Sequence, residues 1–223
     1  MLRFIILLLV WPVLVHAEVS STPAQMPSLN SSQREGALLQ TRWNHMAGHA
    51  QWNAEALRAL ENHGRALTSV VPQDINEWCP YYEQASEAQR RAFWVGFMSA
   101  LAKYESTYKP GAVGGGGRWF GLLQILPATA RGYDCVAGTG EALKDGGANL
   151  SCAVRIMAHT VPRDGVIAQN DGRWGGVAAD WGPMRDSRKT TEMANWLKEQ
   201  AFCQAPATRE ASLSNPRSVE ISR

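Results

Sequence analysis

The sequence contains no internal repeat, no cysteine pair at C-x-x-C spacing and no surplus of one charge. After its first residues it has no long apolar run. Each lack removes a class. Without metal-ligand spacing, zinc is a poor reading of Cys79, Cys135, Cys152 and Cys203. His45 and His49 stand one helical turn apart with no third ligand nearby, and read as a solvated flank. No metal and no cofactor is expected. Lys and Arg total 22 against 20 Asp and Glu, a balance that argues against nucleic acid as a partner. Strand alternation is nearly absent, with at most a minimal strand over Phe120 to Leu126. A mainly α domain is the expectation.

What is present begins with an export signal. Arg3 supplies a positive start, Phe4 to Val15 an apolar run with Pro12 inside it, and Val15-His16-Ala17 a small-residue cut site. The run is too short for a comfortable membrane span. The expected division is a signal peptide over 1–17, a flexible leader over 18–32, one domain over 33–203 and a polar tail over 204–223. Within the domain, 33–79 forms an N-terminal helical segment and 86–203 the core. Four cysteines in an exported chain point to two disulfides. Of three connectivities, the expectation is Cys135–Cys152 and Cys79–Cys203.

Apolar residues from Leu39 to Val71 recur at helical steps, so one long helix or two collinear ones is expected there. Asp74 is expected to cap a short turn to Cys79. Ser86 with Gln89 resembles a capping box that starts the next helix. Gly96 in that helix suggests close packing. A helix over about 149–159 is limited by Pro162, with Asn149 as its cap. Residues 163–176 read as a surface loop, and a last helix is expected over about 188–202.

The chain is organised around ALAKYESTYKPGAVGGGGRWFGLLQILPATA, from Ala100 to Ala130. One acid, Glu105, ends an apolar helix and precedes a glycine run with Trp119, Phe120 and Gln124. The pair Glu105-Ser106, the segment Gly121 to Ile125, the run Pro127 to Ala130 and the later Asn149-Leu150 together resemble the soluble lytic transglycosylase family of the lysozyme-like superfamily. The similarity spans roughly Ala92 to Pro183.

The resemblance implies a lysozyme-like helical domain acting on peptidoglycan. Such an enzyme cleaves between N-acetylmuramic acid and N-acetylglucosamine and leaves a 1,6-anhydro sugar. Glu105 would be acid and then base. Gln124 would line the cleft, and Ser106 would help position the glycan. Burial keeps a carboxyl protonated near neutral pH, and Tyr104, Tyr108, Trp119 and Phe120 are near enough in sequence to wall Glu105. Trp119 and Phe120 either stack on sugar rings or belong to the core.

The family carries a tyrosine near Trp181-Gly182-Pro183, where this chain has Ala179 or Asp180. Asp180 facing Glu105 as a coupled pair is one reading; a structural partner for Arg185 is the other. Asp180 and Trp181 are counted among the substrate-binding candidates. The alternatives are a hydrolytic muramidase, a chitin-type glycosidase, or a weakly active glycan-binding or assembly protein. The enzyme would remodel the wall, or open it for an envelope-spanning machine.

Overall fold

A computed structural model describes residues 39–205 of the chain. The signal peptide, the leader and nearly all of the tail expected from the sequence lie outside the described residues. Among the described residues no helix is long and apolar enough to cross a membrane.

The fold is mainly helical and is built round one buried helix. Helix α1 is His49–Glu61, α2 Arg65–Ser69, α3 Ile75–Trp78 and α4 Glu87–Glu105. After a short hairpin of β1 (Val113–Gly114) and β2 (Trp119–Phe120) come α5 (Pro127–Gly132) and α6 (Gly146–Asp164). A second hairpin, β3 (Ala168–Asn170) and β4 (Trp174–Gly176), precedes α7 (Ser187–Lys198). Both hairpins are antiparallel; Val113 faces Phe120 in the first and Ala168 faces Gly176 in the second.

Helix α4 is buried all round from Phe93 to Ala102, as a helix at the centre of a domain must be. Its start is a full capping box: Ser86 Oγ accepts from Gln89 N–H, and the Gln89 side chain binds back to the Ser86 backbone. Helix α7 packs on its far end. A Cβ at Gly96 would lie 2.6 Å from Phe202 Cζ, so any larger residue would push the Phe202 ring of the C-terminal turn away. Helices α1 and α2 lie against α6. The bonds Cys79–Cys203 and Cys135–Cys152 are both formed. The first ties the C-terminal turn to the end of α3, and the second ties the loop after α5 to α6.

Several local expectations are corrected. Of the one or two helices expected up to Val71, the described residues form two: α1 starts only at His49, after turns over 42–48, and a break over 62–64 parts it from α2. Trp43 is the cause at the first end: it is fully buried, with its indole N–H on Asn53 Oδ1 at 2.7 Å, so the turns fold back over α1. Asp74 makes no cap hydrogen bond. Its carboxylate instead accepts the Ile167 and Ala168 N–H groups at 2.7 and 2.8 Å and anchors β3. Helix α6 runs past Pro162 to Asp164 and ends at Gly165, whose φ of 69° suits glycine. Proline in the last turn removes a single bond and is tolerated there. Asp145, not Asn149, caps α6 through Ala148 N–H at 2.8 Å. The surface loop expected over 163–176 contains the β3–β4 hairpin, and the last helix ends at Lys198 before a short 3-10 turn.

Candidate active site

Glu105 is the last residue of α4, and the chain turns away from the helix immediately after it. Ser106 N–H bonds back to Ala102 O at 3.1 Å and Tyr108 N–H reaches the same carbonyl at 3.4 Å. Thr107 and Tyr108 take left-handed φ values of 52° and 61°. Such conformations cost non-glycine residues about 1 kcal/mol or more each, and surrounding contacts must hold them. Tyr108 is held edge-on against His45, with ring centroids 5.1 Å apart. Ser106 is buried, and its hydroxyl lies 3.4 Å from its own helix at Ala102 O.

Burial raises the Glu105 carboxyl from its ordinary 4.5 to about 7, against the opposing field of Lys189. A carboxyl raised this far can both hold and release a proton near neutral pH, which suits proton donation and proton removal alike. The charge that bears on Glu105 is that of Lys189. Glu192 on α7 accepts from both Arg42 guanidinium nitrogens at 2.7 and 2.6 Å, from Lys103 Nζ at 3.0 Å and from Tyr104 Oη at 2.7 Å. Its hydrogen bonds from Arg42 chiefly hold it down at about 2. This hub fastens α7 to α4 beside the acid. Arg42 and Glu192 are separated by 150 positions, so no local spacing in the sequence points to the hub.

The glycine-rich side of the site is held by two side chains. Asn149, fully buried, accepts the Leu123 N–H at 2.9 Å and donates to Phe120 O and Leu143 O, each at 3.0 Å. Gly121 has φ 84°, and a Cβ there would collide with Leu143 O and the Asn149 amide. Gln124, itself at φ 47°, donates through Nε2 to Ala112 O at 3.2 Å and Gly121 O at 2.9 Å. Its amide nitrogen thus fixes the hairpin, and only Oε1 remains for a ligand.

A cavity of about 100 Å³ brings together Trp119, Gln124, Thr129, Asp180 and Trp181. Trp119 is 41 % exposed, with the Arg118 guanidinium 5.1 Å from its ring centre. Its open face can stack on a sugar ring. Phe120 is half-buried and packs under Gly140, where a Cβ would be 2.6 Å from the ring. Trp181 is only 3 % exposed, and its indole N–H donates to Leu123 O at 2.9 Å. It supports the loop more than it offers a ligand a face.

Of the two readings of Asp180, pairing with Glu105 finds no support, since neither carboxyl feels the other. Asp180 is crowded by protein, which raises its pKa, while Arg163 and Arg185 oppose the rise. Glu105 answers to Lys189 and not to Asp180. Arg185 is itself engaged with Ala178 O and Ala179 O at 2.8 and 2.7 Å. Glu105, Ser106 and Tyr108 are not among the walls of the cavity that holds Asp180. No cluster of three His, Cys, Asp or Glu side chains suited to a metal occurs among the described residues.

Residues 83–173 match the family model described as the transglycosylase SLT domain. The chain is also similar to solved structures titled DslA. The wild-type form superposes with a TM-score of 0.68 at 30 % identity, covering 74 % of this chain and 98 % of that one. A glutamate-to-glutamine variant of DslA gives 0.67 and 29 %, covering 74 % of this chain and 97 % of that one. A second such variant gives 0.68 and 30 %, with coverages of 74 % and 98 %. No curated protein matches the chain.

Proposed function

The chain belongs to the transglycosylase SLT domain family, and from that premise we propose that it is an exported lytic transglycosylase of peptidoglycan. Glu105 is its single catalytic carboxyl. The observation that carries the reading is the placing of that acid, half-buried at the end of the central helix, where burial raises it.

Glu105 protonates the oxygen joining N-acetylmuramic acid to N-acetylglucosamine. The bond from that oxygen to the muramoyl anomeric carbon breaks, and positive charge develops on the sugar. The carboxylate then removes the proton of the muramoyl C6 hydroxyl, whose oxygen closes on the anomeric carbon. No water enters, and the proton returns to Glu105. The intramolecular attack gains from proximity, so one carboxyl suffices where most glycosidases use two. Trp119 offers a stacking face and Gln124 Oε1 an acceptor to the glycan. Ser106 and the left-handed turn behind it hold Glu105 in place.

Digestion of purified sacculi, with mass analysis of the released fragments, tests the proposal. Anhydro ends support it. Reducing ends alone would assign a hydrolytic muramidase, and no release would assign a binding or assembly role.

A further inference from the structure

We propose that Lys189 is a substrate-binding residue of this site, and that its ammonium receives a carboxylate borne by the muramoyl unit being cut. The proposal rests on the transglycosylase reading and names what that reading leaves open, how a charged substituent next to the scissile bond is recognised.

Lys189 lies in the first turn of α7, where Asp186 fixes the backbone by accepting from Arg188 N–H at 3.0 Å and Lys189 N–H at 3.3 Å. Its Nζ stands 5.5 Å from the centre of the Tyr104 ring. Tyr104 immediately precedes Glu105. One turn further along α7, Glu192 is at the right spacing to neutralise Lys189, but it is already occupied by Arg42, Lys103 and Tyr104. Among the described residues no carboxylate lies within ion-pair distance of Lys189.

The charged and titratable groups around this corner come from three directions. Lys103, Tyr104 and Glu105 belong to α4, Lys189 and Glu192 to α7, and Arg42, His45 and Tyr108 to the flanking turns. Apart from Glu105, Arg42, Lys103 and Lys189 stand against the single carboxylate of Glu192. The corner is a cationic rim in which Lys189 rests on the Tyr104 ring and has no carboxylate of its own.

A lone cation beside a general acid is a disadvantage, because it favours loss of the proton that the acid must deliver. The substrate can remove that disadvantage. A muramoyl unit carries a lactyl ether whose carboxyl is either free or extended by a peptide with its own carboxylates. A carboxylate seated on Lys189 cancels its field at Glu105 and leaves burial to keep the acid protonated. Binding the right glycan thus readies the acid, whereas a neutral chitin-like strand does not. Discrimination of this kind appears in the chemical step as well as in binding.

The test uses three tetrasaccharides of alternating N-acetylglucosamine and N-acetylmuramic acid: with free lactyl carboxylates, with lactyl carboxamides, and with stem peptides attached. Binding is read by calorimetry on Glu105→Gln protein, with and without Lys189→Met, so it needs no turnover. Lys189→Met is expected to weaken a carboxylate ligand about five- to tenfold, the range of one charge-assisted contact, and to leave the carboxamide ligand unchanged. Loss confined to the peptide-bearing ligand would place the carboxylate on the peptide; loss with the free lactyl ligand would place it on the lactyl group. Lys189→Arg should retain the preference.

In kinetics on the otherwise wild-type chain, the basic limb of kcat should lie at higher pH for the carboxylate substrate than for the carboxamide. Lys189→Met should erase that difference by moving the carboxamide limb up to meet the carboxylate one. Equal weakening of charged and neutral ligands, or an unchanged pH profile, would overturn the proposal. Glu105-dependent turnover indifferent to Lys189 sinks this proposal alone. Charge-selective binding through Lys189 by a wild-type chain that cleaves nothing sinks the transglycosylase reading alone.

Discussion

Asn149 and Leu123 are 26 residues apart, and the side chain of the first accepts the backbone N–H of the second at 2.9 Å. The same amide donates to Phe120 O and Leu143 O, so one fully buried side chain satisfies two backbone groups of the loop that carries Gln124 and ties them to the turn before α6. Its contribution is structural, and the site depends on it at one remove.

Asn149→Ala should therefore lower stability by about 3 kcal/mol or more, since buried polar groups left without partners cost about 1–3 kcal/mol each. Asn149→Asp keeps an acceptor for Leu123 but loses both donors, and should also destabilise. Urea denaturation measures both. A loss below about 1 kcal/mol for the alanine variant would mean that the loop holds itself.

The two disulfides should differ in worth. Cys79–Cys203 closes a separation of 124 residues and Cys135–Cys152 one of 17. Loop-closure entropy assigns about 5 kcal/mol to the long loop and about 3 to the short one. Serine pairs at each position, compared by guanidinium denaturation, should reproduce that order. A larger loss from the short loop would contradict it.

Glu105 makes stability depend on pH with a definite sign. Its folded value, about 7, lies above its ordinary 4.5. The folded chain holds the proton more tightly, so this contribution is complete below about 4.5 and is lost as pH rises through about 7. Ionising the half-buried group costs up to about 3 kcal/mol. Glu105→Gln should be the more stable protein at pH 8, with the gap closing towards pH 5. Parallel stability curves would show that Glu105 is solvated. Glu192 has the opposite sign: held near 2 by Arg42, it stabilises above its ordinary value and stops doing so as pH falls through about 2. With its side chain 38 % exposed, that effect is small.

Much of the frame was legible in the chain. The Ser86–Gln89 box, the apolar run into Glu105 and the constraint at Gly96 are local signals, each written within a few residues. What the sequence hid is non-local. Asp74 looks like a cap and instead anchors β3 from 93 residues away. Asn149 looks like a cap because it opens an apolar run, but Asp145 begins the helix earlier. Glu192 carries no local signal at all: its partners Arg42, Lys103 and Tyr104 come from 88 to 150 positions away. The β3–β4 hairpin was hidden for a different reason: its strands are three residues each, too short for alternation to register.

The central claim is that Glu105 acts first as acid and then as base, with no water consumed. Digestion of sacculi in ¹⁸O-labelled water tests it most directly, with wild-type chain and Glu105→Gln side by side. The account predicts fragments ending in anhydro sugar that carry no ¹⁸O from the wild type, and no release from a folded Glu105→Gln variant. Fragments with ¹⁸O at a reducing muramoyl end, or release that survives Glu105→Gln, would contradict it.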